Sequence, residues 1–310
     1  MQLNNFNRFT KAIIAIILTT ILLPLSSAGQ ADAIWKPRAD SITAGCKTSY
    51  EKAKAIYLWQ VANIKYDYSM RIHSAKNCWR MRKGVCQAFS ELFVNLANSC
   101  GVESRMIFGV AKTIQSPDGE GAHAWVEAKT ERGTILIDPT WGACQYESDG
   151  NQTQLLVWFD VKPECMIFTH FPSDPKKQYL ATPLTKKQYL DLPELNPLLV
   201  KRGWSASAVL SYFLKHPGEM AASIANGGYA LENIQLIQAP YGRTLQIGKT
   251  YTFKIRCLKP GIVISSSEGK WVKDGNIYTL VLHPTREGWF TIGTDDVLGS
   301  FIRYDVVKSD

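Results

Sequence analysis

The chain of 310 residues is long enough for two domains and a sizeable core, and 45% hydrophobic with 20% charged residues excludes an intrinsically disordered protein. Its net charge of +8 is scattered. An ordinary solvated surface accounts for that excess most simply; it would suit an anionic envelope surface and does not argue for nucleic acid.

Residues 1–33 read as a secretory signal: Arg8 and Lys11 precede the apolar stretch Ala12 to Leu25, and Ser26-Ser27-Ala28 and Ala31-Asp32-Ala33 are small-residue cleavage candidates. The stretch is short of the ~20 apolar residues a membrane span needs, so no stable span is expected after its removal. The expected location is secreted or periplasmic, in the cell envelope. Without residues 1–33 the balance is 33 basic against 26 acidic residues.

Tyr50 to Ile64 predicts a helix, and Ile64 to Tyr68 an extended exit. Residues 69–83 are polar and basic, suiting a loop or short helices. In Lys83-Gly84-Val85-Cys86-Gln87-Ala88-Phe89 a helix begins, with Val85, Ala88, Phe89, Leu92, Phe93, Leu96, Ala97 and Cys100 on one buried face and Gly101 as the stop. Cys86 falls in its first turn, where unpaired N–H groups and the helix dipole favour a thiolate, the form that attacks. Ser104 to Val110 predicts a strand. After a loop around Pro117-Asp118-Gly119, Ala122 to Glu127 predicts another, with His123, Trp125 and Glu127 on one face. A turn at Arg132-Gly133 returns the chain through Thr134 to Asp138, which ends at Pro139 near the His123 end of the partner strand.

Cys86, His123 after 37 residues and Asp138 after 15 more form a set with one chemistry. The imidazole shares the thiol proton and later protonates a leaving amine, while the carboxylate fixes the imidazole tautomer. Taken singly, each residue has an ordinary structural reading; their joint appearance at a helix start, a strand and the adjacent strand raises all three.

These residues resemble the transglutaminase-like superfamily, with its Gly-x-Cys helix start, His-Ala-Trp strand and Asp-Pro strand end standing here as Gly84-Val85-Cys86, His123-Ala124-Trp125 and Asp138-Pro139-Thr140-Trp141-Gly142. Lys54-Ala55-Ile56 through Tyr66-Asp67 is similar to the lead-in helix. Trp158-Phe159, Phe168-Thr169-His170-Phe171-Pro172 and Leu190-Asp191-Leu192-Pro193 resemble the branch containing kyphoscoliosis peptidase. The resemblance implies an α+β papain-like core over 34–200, with Cys86 as nucleophile, His123 as base and acid, and Asp138 as orienting group. Trp125 and Trp141 fall inside its motifs and are expected to support the site. The Cys86 N–H is expected in the oxyanion hole; Trp79 and Gln87 are weak candidates for the second donor.

Cys46, Cys78, Cys100, Cys144, Cys165 and Cys257 remain, and an exported chain leads one to expect disulfides among them; six cysteines allow 15 pairings. Cys100, on a buried helix face, also suits a reduced core thiol. Their spacing matches no zinc pattern, Glu147, Asp149 and Asp160 read as loop charges, and no metal or cofactor is expected. His170 and His216 read as surface residues. Residues 201–229 read as a connector containing a helix near Ser205 to Leu214. Residues 230–310 carry about seven short strands, including a hairpin at Asp274-Gly275, and suggest an immunoglobulin-like β-sandwich.

The expected activity is attack on an amide of a protein or peptide substrate, with an envelope component among the candidates. Hydrolysis is favoured over crosslinking. The alternative is a non-catalytic binding or scaffolding module on the same fold. A redox protein is the weakest reading, because no Cys-x-x-Cys pair is present.

Overall fold

Residues 27–112, 116, 118–149, 156–224, 231–295 and 300–308 are described by the computed structural model; most of the expected leader and Pro117 lie outside them. Helix α1 (Ser27–Ile42) carries Trp35 and Ala39 into the core. Helix α2 (Ser49–Asn63) starts on a capping box, in which Thr48 Oγ1 accepts from the Glu51 N–H and the Glu51 carboxylate accepts from the Thr48 N–H. The extended exit is β1 (Lys65–Tyr66), which pairs in parallel with β2 (Lys83–Gly84). Between them lies α3 (Ala75–Met81).

Helix α4 (Cys86–Ser99) begins where the apolar spacing predicts, and all eight residues of its expected face, Val85 through Cys100, are buried. Fully burying a Phe or Leu contributes roughly 1.5–3 kcal/mol, and Phe89, Leu92, Phe93 and Leu96 are each fully buried. The helix is the hub of the core, packing against α1, α2 and α3 on one side and against β3 (Ser104–Ala111) and β4 (Gly121–Thr130) on the other.

Three more strands, β5 (Gly133–Ile137), β6 (Phe159–Val161) and β7 (His170–Pro172), complete an antiparallel sheet of order β6-β5-β4-β3-β7. The β4–β5 turn is Glu131-Arg132, one residue earlier than expected, with Gly133 at φ +98° leaving it. Pro139 ends the return strand and also opens α5 (Pro139–Asp149), as a proline at a helix start readily does. Glu147 and Asp149 are therefore helical rather than loop residues, and Asp160 lies on β6. This region is an α+β transglutaminase-core-like fold.

Short helix α6 (Pro163–Met166) lies between β6 and β7, and α7 (Lys186–Asp191), α8 (Pro197–Lys201) and α9 (Ala206–Lys215) follow the sheet, the last capped by Ser205. Two further sheets follow. One has strand order Val272–Asp274, Ile277–Leu282, Tyr251–Cys257, Ile234–Gln238; the other Thr244–Gln246, Ser300–Val307, Gly288–Thr294, Ile264–Ser266, with Ser223–Ile224 also paired to Ser300–Val307. The short Thr244–Gln246 and Ser223–Ile224 strands are not evident from alternation. Phe253 of the first sheet meets Phe290 and Tyr304 of the second at 5.1 and 5.4 Å between ring centroids.

The expected disulfides are not there. No two sulfurs among Cys46, Cys78, Cys86, Cys100, Cys144, Cys165 and Cys257 stand at bonding distance. Several are held singly instead: Cys78, Cys100 and Cys165 are buried, Cys100 donates to the Ala97 carbonyl at 3.3 Å, and Cys257 donates to the Ile262 carbonyl at 3.7 Å. A bridge requires two cysteine Cβ atoms about 3.5–4.5 Å apart, and these thiols are met by other neighbours instead.

Candidate active site

The position of Cys86 is set by the chain just before it. Asp67 ties a loop by accepting from the Ser69 hydroxyl at 2.6 Å and from the Arg71 and Ile72 N–H groups at 2.9 and 3.0 Å. The Ile72 carbonyl in turn accepts from the Val85 N–H at 3.0 Å. At Gly84 an added Cβ would lie 2.8 Å from Ala88 Cβ and 3.0 Å from Cys78 Sγ, so the glycine lets β2 lie close against α3 and the first turn of the helix it enters. Val85 caps α4 without a side-chain hydrogen bond. One turn on, Ser90 Oγ donates to the Ala124 carbonyl at 3.0 Å and fixes the helix to the strand beside His123.

Strand β4 delivers His123, and the end of β5 delivers Asp138. Register pairs Val126 with Ile137, so Asp138 falls beyond the last pair, towards His123. His123 Nε2 lies 2.8 Å from Asp138 Oδ2. The carboxylate has no proton to give, so Nε2 carries the hydrogen and donates it. Nδ1 is then the nitrogen left for Cys86, with which His123 interacts electrostatically. The other oxygen, Oδ1, accepts the Thr140 and Trp141 N–H groups at 2.9 and 3.1 Å.

Electrostatics separate this thiol from its fellows. Burial raises the pKa of Cys86, but the neighbouring His123 ring, its charge and the Ala124 N–H outweigh burial and lower it. Burial pushes Cys78 and Cys165 up to about 12. Burial opposes charge on His123 too, yet Asp138 and Cys86 raise its pKa to about 10. Asp138 is held well below the usual carboxylate range, burial being outweighed by both histidines. Both shifts, on Cys86 and on His123, run in the direction that favours a thiolate beside an imidazolium.

Trp125 and Trp141 flank the imidazole, with ring centroids 6.2 and 5.5 Å from it. Gln87 is exposed. Trp79 stacks on Trp59 at 4.6 Å, meets Trp35 edge-on and lies under Arg38 and Arg82, so its ring partners are outside the Cys86–His123–Asp138 set.

His170 is the main correction. It is not a surface residue: its side chain is wholly buried, and Nε2 lies 3.1 Å from Asp138 Oδ2. His216, by contrast, is exposed and stacks on Tyr212. A two-histidine carboxylate was hidden because His170 is on the opposite edge strand, 32 residues from Asp138; its position between Thr169 and Phe171 on an apolar strand was the available signal. Ser90 and Asp67 were likewise passed over; Ser90 sits one turn beyond Cys86, a spacing that could have found it.

His123, Asp138 and His170 offer ligand atoms within 4.8 Å of one another, the one such group of three among the described residues. Cys86 is not in that group. The cluster could meet a metal ion in geometry, but two imidazole N–H groups already fill Oδ2.

Residues 36–139 match the model of the transglutaminase-like superfamily. Human kyphoscoliosis peptidase is 27% identical over 156 residues, 46% of this chain and 24% of that protein; the mouse protein of the same name is 27% identical over 153 residues, 45% and 23%. The chain thus spans about a quarter of the length of the curated relatives it matches. Among solved structures, a candidate cysteine protease from Cytophaga hutchinsonii is 26% identical across 36% of this chain and 38% of its own, with a TM-score of 0.32. The periplasmic domain of TgpA from Pseudomonas aeruginosa is 18% identical across 43% and 47%, with a TM-score of 0.28.

Proposed function

This chain belongs, across residues 36–139, to the transglutaminase-like superfamily and is related to kyphoscoliosis peptidase, and from that premise we propose that it is an exported cysteine-dependent enzyme acting on amide bonds of proteins or peptides. Cys86 attacks the carbonyl and forms a thioester. His123, carrying the thiol proton on Nδ1, passes it to the departing amine. It then takes a proton from water as water attacks the thioester, restoring the thiol and releasing acid. Asp138 keeps the imidazole in the tautomer and orientation this needs. The Cys86 N–H is the first oxyanion donor.

One observation carries the reading: a buried imidazole set between a 2.8 Å carboxylate contact and a thiol whose pKa is lowered while buried Cys78 and Cys165 are raised. Hydrolysis is preferred to transamidation because water is always at hand. The leader over 1–33, the catalytic region over 34–200, the connector over 201–229 and an immunoglobulin-like arrangement of residues 230–310 belong to the same proposal. Among the described residues no helix is long and apolar enough to cross a membrane.

The test is exposure of envelope proteins to the purified chain and to its Cys86→Ala variant, read by mass spectrometry. New termini or Gln-to-Glu changes with the active chain alone are expected. Gln–Lys links would mean transamidation, and identical spectra from both proteins would end the enzyme reading.

A further inference from the structure

We propose that His170 is a positioning residue of this reaction, sharing the Asp138 carboxylate with His123 and, through Thr169, extending three side chains into a connected five. The inference rests on the cysteine-enzyme reading above.

His170 reaches Asp138 because β7 lies close against β3. Gly109 pairs with Pro172, and a Cβ there would stand 2.2 Å from the Phe171 carbonyl oxygen and 2.9 Å from Trp125 Cη2. Its imidazole is packed among the rings of Trp141, Trp125 and Trp158 at 4.5, 5.0 and 5.6 Å. A polar ring in such a place is costly unless its nitrogens are bonded. Both are. Nε2–H donates to Asp138 Oδ2, the oxygen that also accepts from His123. With the hydrogen on Nε2, Nδ1 must accept, and the Thr169 hydroxyl lies 2.8 Å from it; that hydroxyl's other acceptor, the Met166 carbonyl, is at 3.3 Å. The chain runs Thr169, His170, Asp138, His123, Cys86.

The charges facing His170 are those of Asp138 and His123, and burial, the largest influence, holds its pKa down to about 4. It therefore donates as a neutral ring and adds no second cation beside the His123 imidazolium. With Thr140 and Trp141 N–H on Oδ1 and two imidazoles on Oδ2, four donors fix the plane of the carboxylate. Sharing Oδ2 also draws charge away from His123. A carboxylate that served His123 alone would grip the imidazolium harder and make it a poorer acid towards the leaving amine.

Alkylation of Cys86 by iodoacetamide tests this without a known substrate. On the full chain, the second-order rate against pH should rise in two steps, when the ion pair forms and when His123 loses its proton. His170→Leu, which keeps apolar bulk but no donor, is expected to move the upper step up by about one pH unit. His170→Gln, whose amide N–H2 can reach Oδ2, should stay near the wild-type value. Thr169→Val, which frees the His170 tautomer, should shift the step the same way by less, and it serves if His170→Leu does not fold. A two-step wild-type profile left unchanged by His170→Leu and Thr169→Val overturns the role of His170 alone. Equal shifts in the Leu and Gln variants also overturn it, because bulk and not the donor would then matter. A single ordinary thiol step in the wild type overturns the enzyme reading and this inference together.

Discussion

The transglutaminase-like region and the C-terminal sheets are both well packed, but they bury different things. Of fourteen buried Ser, Thr, Gln, Asp, Glu, Lys and His residues among those described, thirteen precede residue 179; Thr294 alone lies in the C-terminal sheets. The later sheets bury Phe253, Ile255, Leu280, Phe290, Ile302 and Tyr304. The earlier region buries Asp67, His123, Glu127, Asp138 and His170 as well, each bonded to a partner. Burying polar and charged groups is unfavourable compared with apolar packing, even when they are paired. A region that keeps so many has been shaped by something other than stability, and the apolar sheets show what packing without that demand looks like.

The sharpest break in this contrast is Asp138→Asn. It leaves the fold's apolar contacts in place but offers His123 an amide where a carboxylate stood, and amide turnover should fall by roughly 10⁴-fold, the scale known for loss of the correct imidazole tautomer. Phe253→Ala should do the reverse: unfolding in urea should show a loss of about 3–5 kcal/mol, while alkylation of Cys86 in the folded protein keeps its rate. A changed rate would mean that the two regions are coupled.

Acid should also tell the regions apart. His170 has a native pKa of about 4, against roughly 6.5 in an unfolded chain. Between those values the unfolded state binds the proton and the native state does not, so stability falls as pH falls from about 6.5 towards 4. Hydrogen exchange at pH 4.5 should therefore quicken in β4 and β7 before it does in Tyr251–Cys257 and Gly288–Thr294. Lys187→Ala marks the small end. Its pair with Asp191 is an exposed (i, i+4) contact at 2.5 Å with Lys187 85% exposed, and the loss should stay within about 0.5 kcal/mol in the same urea measurement.

How far the sequence could be read follows from what each feature depends on. Helix α4 and its buried face were legible because periodicity is local, and Tyr251–Cys257 was legible to its last residue for the same reason. The meeting of His123 and Asp138 was legible because a short hairpin converts sequence distance into spatial distance. His170 was not: its approach depends on β7 adding to the far edge of β3, a long-range pairing with no turn to announce it. The disulfide expectation failed because compartment alone says nothing about where sulfurs point. The strand Thr244–Gln246 was missed because three residues show no alternation, and it pairs in parallel with Ser300–Val307.

Trp35 ties the first described helix to the rest of the core. It packs at the head of the chain edge-on to Trp79, on a helix that leans against the one bearing Cys86. A truncation that stops at residue 33 spares this indole, whereas one a few residues longer removes a ring that braces Trp79 and the helix packed on α4.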